Sequence, residues 1–287
     1  MPVFCSMNTS RYIGRFAPSP TGPLHLGTLV AAMASYLEAR THLGQWLLRI
    51  EDLDPPREIP GSTLQIIHSL ENLGFEWDQN IIYQSQRDNY YLEMMESLIT
   101  EHMAYACSCS RKMFSGPYPG TCRNKHLKRR SDIAIRVLTH NELIEFNDGL
   151  KGSISQKLEE KIGDFVIRRK DGLFAYQLAV VVDDALQNIT HVVRGEDLLD
   201  STPRQIHLQQ LLGYPTPEYT HTPLVLDDNG QKFSKSSYKG SIPELSLKTL
   251  IQAWHHLKQQ PVSENDFDNF NDFWKWAIQN WNINTLK

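Results

Sequence analysis

Between Arg15 and Thr28 the chain reads RFAPSPTGPLHLGT, with three prolines, two glycines, a serine and a histidine in fourteen residues. An ordinary surface turn needs only about one or two such residues. The run follows Tyr12–Ala17, which is apolar enough for a buried strand. After it, Leu26, Leu29, Val30, Met33 and Leu37 recur at helical spacing, Gly44 supplies a stop, and Trp46–Ile50 reads as a second strand. Strand, loop, helix, strand is a βαβ unit. It predicts an α/β protein built on a doubly wound, parallel, Rossmann-type sheet, with ligands outside the carboxyl ends of its strands. The Pro/Gly loop stands at the end of the first strand, and Glu51 and Asp52 stand at the end of the second.

A loop of this kind suits a polyphosphate. Gly22 and Gly27 permit close backbone approach, and the helix that follows offers exposed N–H groups at its positive end. His25 falls in the first turn, where a ring nitrogen can donate to a phosphate oxygen; the plain alternative is a rigid turn with a helix-capping histidine. Far along the chain, GQKFSKSS sets Lys232 and Lys235 among Ser234, Ser236 and Ser237. Two ammonium groups among small hydroxyl residues suit a polyphosphate whose charge shifts during reaction.

Between these motifs, helices are expected over Ser62–Leu73 and Gln86–Met103, and a polar region runs to Lys161. DFVIRRKDGLFAYQLAVVVDD reads as strand-rich, with a hairpin turn at Lys170-Asp171-Gly172. His191–Arg194 is a further strand. In STPRQIHLQQLLG, Ser201 or Thr202 caps a helix with Pro203 in its first turn and Gly213 at its end. The last stretch carries Trp254, Trp274, Trp276 and Trp281 and reads as a small helical appendage docked by aromatics.

At 287 residues, 40% hydrophobic and 22% charged, the chain has the composition of a globular protein of two or three lobes. No apolar run reaches the roughly 20 residues that span a bilayer, and MPVFCSMNTSRY lacks a signal-peptide pattern. A cytoplasmic enzyme with no membrane contact is expected, and a monomer. The net charge of −4 rules out a molecule-wide attraction for nucleic acid. Such a partner would have to meet local patches, Arg123–Arg130 (RNKHLKRR) or Arg168-Arg169-Lys170, whose plain reading is a solvated basic loop. Three of four cysteines, Cys107, Cys109 and Cys122, fall close together and suggest a metal site. Spacing nominates His126 as a fourth ligand for tetrahedral zinc; the alternative is a metal-free cysteine cluster.

RFAPSPTGPLHLG, RIEDLDPPR, VVRGEDLLDSTPRQ and KFSKS, in this order, resemble the catalytic core of the class I glutamyl-tRNA synthetase family over Arg11–Lys239. His25, Gly27 and the central Ser-Lys-Ser match its two signatures. Thr28 departs from the first, where the general pattern has histidine, and Ser19 and Thr21 follow the glutamate rather than the glutamine type. The residues after Lys239 are too few for the family's helical anticodon-binding domain. That layout is similar to the short members that activate glutamate without tRNA and attach it to the queuosine base in the anticodon of tRNA(Asp).

The resemblance implies ATP with Mg2+ and L-glutamate as substrates. It places His25, Gly27, Lys232 and Lys235 on ATP, with Lys235 and His25 as the catalytic pair. It places Arg15, Phe16, Ala17, Pro18, Ser19, Glu51, Tyr176 and Arg194 around glutamate. Arg15 suits a carboxylate and Glu51 the ammonium; the plain alternative for each arginine is a structural ion pair, the role assigned to Arg49. The family pattern uses a tyrosine as the fourth zinc ligand, which is Tyr118 here, one structural zinc per chain being implied. Asp52 and Asp54 are expected to fix the DPPR turn, and Glu196 and Asp197 to lie at the ribose or the pocket rim.

The implied organisation is a first half of the core at 11–103, an inserted zinc-binding lobe at 104–162, a second half with the lysine loop at 163–240, and the appendage at 241–287. Two other enzymes and one non-enzyme fit the same features. They are a shortened synthetase charging a tRNA 3′ end, a plain nucleotidyltransferase, and an inactive paralogue that binds tRNA.

Overall fold

A computed structural model of the protein describes residues 12–130, 132–225 and 244–287. Lys232 and Lys235, with the rest of the KFSKS loop, lie outside the described residues.

The Pro/Gly loop joins β1 (Ile13–Phe16) to α1 (Leu26–Thr41), and β2 (Gln45–Ile50) follows. β1 and β2 pair in parallel from Ile13↔Gln45 to Phe16↔Leu48. After α2 (Ser62–Asn72), β3 (Asp78–Tyr83) extends this sheet in parallel beside β2. Next come α3 (Asp88–Thr100), β4 (Ala104–Cys107), β5 (Ala134–Val137), β6 (Leu143–Asp148), β7 (Gly152–Lys157), the single turn α4 (Leu158–Lys161) and β8 (Phe165–Arg168). β4, β5 and β8 form a separate antiparallel sheet that carries the cysteine segment at its end. That sheet takes in Phe165–Arg168, beyond position 162.

α5 (Tyr176–Leu186), β9 (His191–Gly195), α6 (Thr202–Leu212) and β10 (Glu218–Thr222) complete the second half. β10 is parallel to β9 on one side and to β6 on the other, with β7 antiparallel at the edge. The two halves meet where the Thr190 N–H donates to the Ile13 carbonyl at 2.9 Å and the Ile13 N–H to Thr190 Oγ1 at 2.8 Å. The ladder stops there, so β1 and β9 part towards their carboxyl ends. A crevice at such a switch in strand order is the ligand position of open α/β sheets.

One strand expectation fails. The hairpin turn at Lys170–Gly172 forms, with the Arg169 N–H donating to the Leu173 carbonyl at 2.8 Å. The AYQLAVVVDD that follows, however, is the helix α5 and not a strand. Val180, Val181 and Val182 are all buried, because α5 is enclosed by neighbouring elements. An apolar run that is buried on every side carries no period to distinguish helix from strand. α6 forms as expected, with Pro203 in its first turn and Gly213 at φ +67°. The Ser201 hydroxyl does not cap it but takes hydrogen bonds from Gln177 and Arg204.

α7 (Leu247–His256) and α8 (Phe270–Asn280) pack on α1 and share its core. Trp274 Nε1 donates to the Leu73 carbonyl at 2.9 Å, and its ring meets Tyr36 and Phe75, which also contact Trp46. Trp254 is fully buried and donates to the Gln260 carbonyl. Among the described residues no helix is long and apolar enough to cross a membrane. Trp254→Ala should cost roughly 3–5 kcal/mol in denaturant unfolding, and a loss below about 1 kcal/mol would show that the appendage is not part of this core.

Candidate active site and metal centre

The carboxyl ends of β1, β2, β9 and β10 open onto a cavity of about 300 Å³. Arg15 to Ser19, His25, Gly27, Glu51, Tyr176 and Arg194 all line it, as do Asp197 and Leu224. The loop is held in shape from outside: Gly22, at φ +145°, donates its N–H to Ser62 Oγ at 3.0 Å, the Ile59 N–H donates to the Pro20 carbonyl, and the Glu51 N–H to the Pro18 carbonyl.

His25 is the N-cap of α1. Its Nδ1 accepts from the Thr28 N–H at 3.2 Å, which leaves Nε2 to carry the ring proton towards Thr28 Oγ1 at 2.8 Å. Both ring nitrogens face Thr28, so a phosphate oxygen would have to displace that hydroxyl or be reached through it. Gly27 leaves room for the ring: a Cβ there would stand 3.3 Å from His25 Cε1 and Nδ1, so the imidazole would have to give way by a few tenths of an ångström.

Arg15 and Arg194 line the cavity and Arg49 lies buried beside Glu51; the three differ in their partners. Arg15 directs Nε and Nη2 at the two oxygens of Asp184, at 3.2 and 3.5 Å, so its forked face is already engaged and only Nη1 remains for a ligand. Arg49 is wholly buried, with Asp184 at 2.7 Å, Gln187 at 2.7 Å and the Glu51 carboxylate at 3.5 Å, the structural role expected of it. Arg194 has no carboxylate within ion-pair distance among the described residues. It donates to neutral acceptors: His221 Nε2 at 3.1 Å, Thr202 Oγ1 at 2.8 Å, the Leu198 carbonyl at 3.4 Å and the Tyr176 hydroxyl at 3.4 Å.

Glu51 is the converse case. Its Oε1 is buried without a hydrogen-bond donor, Arg49 being at ion-pair rather than hydrogen-bond distance. Burial pushes its carboxyl up to about 7, against the pull of Arg49 and Arg15. Asp184 is also penalised by burial, but Arg15 and Arg49 hold it below the usual carboxylate range. The pocket therefore presents an uncompensated guanidinium and an underpaired carboxylate on the same small cavity.

Asp184, Asp148 and His221, which support this arrangement, carried no motif in the sequence, and Thr202 was read only as a helix cap within VVRGEDLLDSTPRQ. The only hint was the acidic pair closing the apolar run at Asp183-Asp184. Asp54 fixes the DPPR turn by pairing with Arg57 at 2.5 Å and also meets Arg169, but Asp52 does not: it holds the Ser85 N–H and hydroxyl instead. Glu196 accepts from the Leu224 N–H and pairs with Lys151.

A second cavity of about 890 Å³ adjoins the first at Ala17, Ser19, Glu51 and Tyr176, and runs to Cys109, Tyr118 and Arg136. The sulfurs of Cys107, Cys109 and Cys122 lie within 4.8 Å of one another and are buried. The Tyr118 hydroxyl sits among them, 3.2 Å from Cys107 and 3.6 Å from Cys109. Thiolates on one tetrahedral zinc stand about 3.8 Å apart, so the donor set fits such an ion. His126 is exposed and outside this group. Burial works against the Cys122 thiolate, but hydrogen bonds from the Ser108 backbone, Tyr118 and Cys109 bring it down to about 6. Arg136 lies 3.9 Å over the Tyr118 ring and donates to Cys107 Sγ at 3.3 Å, placing positive charge against the sulfurs. Much of the basic run is neutralised internally: Arg123 pairs with Asp164 and Glu159, Arg129 with Glu96 and Arg130 with Asp132.

A parallel sheet opened at its switch point, with a capped Pro/Gly loop on one lip and an amino-acid-sized pocket of opposite charges beneath it, defines a class I aminoacyl-tRNA synthetase core. Residues 13–116 and 120–256 match the family model "tRNA synthetases class I (E and Q), catalytic domain", and the chain belongs to that family. Within it, the chain is 50% identical over 279 residues to a Glutamyl-Q tRNA(Asp) synthetase of Ectopseudomonas mendocina, covering 96% of this chain and 94% of that one. It is 48% identical over 282 residues to the protein of that name from Pseudomonas aeruginosa, covering 97% and 96%.

Among solved structures, it resembles a glutamate tRNA ligase from Elizabethkingia meningosepticum in complex with its amino acid. The TM-score is 0.68 at 29% identity, over 75% of this chain and 50% of that one. A glutamate-tRNA synthetase from Elizabethkingia anophelis shares the fold with a TM-score of 0.79 at 24% identity, over 96% of this chain and 66% of that one.

Because the Glu51 carboxyl is raised, its contribution to folding is intact below about 4.5 and is lost as pH rises towards 7. Glu51→Gln should therefore be more stable than the parent at about pH 8, by up to about 3 kcal/mol, with the difference closing towards about pH 5. Thermal unfolding of both proteins across this range checks it; a gap that does not depend on pH would mean that Glu51 is not destabilised by burial.

Proposed function

We propose that this protein activates L-glutamate with ATP, without tRNA, and transfers the glutamyl group to the queuosine base in the anticodon of tRNA(Asp). The observation that carries the amino-acid half is the pairing of Arg194, a buried cation with no carboxylate partner among the described residues, with Glu51, whose buried Oε1 has no hydrogen-bond donor among them. A substrate with one carboxylate and one ammonium satisfies both. The transfer half rests on relatives of about 50% identity that span nearly the same length and bear that name. It is favoured over a shortened synthetase that charges a tRNA 3′ end, because those relatives have the same short layout.

Adenylation requires the glutamate carboxylate to attack the α-phosphorus in line and expel pyrophosphate. A carboxylate is ionised at neutral pH, so the protein need supply no base; it positions the reactants and stabilises developing charge. Lys235 and Lys232 are assigned to the phosphates with His25 and the backbone at Gly27, and Mg2+ accompanies ATP. Arg15, Phe16, Ala17, Pro18, Ser19, Glu51, Tyr176 and Arg194 form the glutamate pocket. In the second step a hydroxyl of the queuosine ring attacks the glutamyl carbonyl and AMP leaves. The cavity that runs from Glu51 and Tyr176 to the cysteine lobe is the approach for that base. One zinc held by Cys107, Cys109, Tyr118 and Cys122 would stiffen its far wall. A tRNA substrate places the reaction in the cytoplasm.

ATP–pyrophosphate exchange should occur with glutamate alone and no tRNA. Label should then pass to queuosine-containing tRNA(Asp) from which the terminal adenosine has been removed. Exchange that needs tRNA, or label that vanishes with the terminal adenosine, would point instead to an ordinary charging enzyme. Lys235→Ala should lose exchange by about a hundredfold without a change in Tm. Metal analysis should find one zinc per chain, and Cys109→Ser should lose both the metal and stability; a purified chain without metal would remove the zinc from this account.

A further inference from the structure

Arg194 is aimed by a chain of buried groups that begins outside the pocket. On β10, His221 stands directly opposite Arg194 in the parallel register and is fully buried. Its Nδ1 lies 2.5 Å from Asp148 Oδ2. The other oxygen, Asp148 Oδ1, accepts the backbone N–H groups of Leu150 at 3.0 Å, Lys151 at 2.9 Å and His221 itself at 3.3 Å. A carboxylate so surrounded by donors can only accept, so His221 carries its proton on Nδ1. Nε2 is then an acceptor, with Thr202 Oγ1 also 3.1 Å from it. It takes the Arg194 Nε–H at 3.1 Å, while Thr202 Oγ1 takes Nη2 at 2.8 Å. With Nε and Nη2 fixed from behind, Nη1 is left on the side of Tyr176, whose hydroxyl lies 3.4 Å away at the cavity.

We propose that His221, held in its Nδ1–H tautomer by Asp148, is a positioning residue that locks Arg194 with Nη1 presented to the carboxylate of the amino-acid substrate. This rests on the reading of Arg194 as a glutamate contact. The use of histidine has a chemical reason. A carboxylate at position 221 would neutralise Arg194, whereas a neutral imidazole acceptor holds the guanidinium and leaves its full charge for the ligand. The three backbone donors on Asp148 Oδ1 make the device testable by a single atom. In Asp148→Asn they hold the amide oxygen, which turns the amide N–H groups towards His221 Nδ1. The ring must then take the Nε2–H tautomer, and that proton meets the Arg194 Nε–H head on.

The test is ATP–pyrophosphate exchange without tRNA, reading KM for glutamate, KM for ATP and kcat, with Tm for each variant. His221→Ala and Asp148→Asn should each raise the KM for glutamate by roughly tenfold, the scale of one hydrogen bond to a charged group. The KM for ATP and kcat should stay within about twofold. His221→Gln, whose amide oxygen reaches the place of Nε2, should recover most of the loss. Adding His221→Ala to Arg194→Ala should cost little beyond Arg194→Ala alone. If Arg194→Ala raises the KM for glutamate and a folded His221→Ala does not, the proposal is overturned while the pocket reading stands. If Arg194→Ala itself leaves that KM unchanged, both fall. Independently of any variant's folding, nitrogen-15 NMR of the His221 ring in the parent protein should show the proton on Nδ1, and a proton on Nε2 would overturn the proposal.

Discussion

The carboxylate of Asp184 is the point on which this half of the molecule turns. It stands on α5, buried, and answers to Arg15 on β1 and Arg49 on β2 at the same time. Its neighbour Asp183, also buried, faces Gln84, Arg87 and the Tyr91 hydroxyl near the start of α3. Two consecutive acids on one helix thus bind two strands and a second helix from within. Removing one partner of such a network leaves a buried charge uncompensated, which is far costlier than the network's own net contribution. The positions of Arg49 and of Arg15, which lines the crevice, follow from this.

The same accounting explains why the pocket has a use. Arg15 and Arg49 are balanced by Asp184, and Arg87 by Asp183. Arg194 is surrounded by an imidazole, two hydroxyls and a carbonyl, all neutral. Glu51 competes for Arg49 with a better-placed carboxylate and loses, at 3.5 Å against 2.7 Å. Among the described residues that line the pocket, what remains after internal pairing is a guanidinium with no carboxylate partner and a carboxylate oxygen with no hydrogen-bond donor. Buried groups of this kind cost stability in the free protein, and a ligand that completes them recovers that cost as binding energy.

The first βαβ unit was legible because its signals are local: proline and glycine shape the loop, helical spacing marks α1, and Gly44 ends it. The residues lining the cavity were reached through several motifs whose order in the chain matched a family, not through periodicity. α5 was misread because Val180–Val182 have strand propensity and the helix has no exposed face to reveal its period. The support of the site was invisible for a different reason. Asp184 lies 169 residues from Arg15, Asp148 lies 73 from His221, and an ordinary acid or histidine at such separations carries no spacing signal. Tyr118 shows the limit from the other side: spacing nominated His126, whereas the fold turns the tyrosine hydroxyl in among the sulfurs and leaves the histidine exposed.

Charge also constrains how a chain of this kind can meet RNA. Its net charge is −4, and in the basic run Arg123, Arg129 and Arg130 are each already bound to a carboxylate of the same chain. Arg169 is likewise held by Asp171 and Asp54. Exposed pairs of this kind are weak and do not bar a phosphate contact, but they cancel much of the local positive charge and so weaken its pull on a polyanion. The selective term must come from a nucleotide entering a shaped site. The larger cavity meets the smaller one at Glu51 and Tyr176, and its far wall is the buried cysteine and tyrosine cluster with Arg136 stacked upon it. A metal in that cluster would act on this wall's rigidity without being part of the smaller cavity.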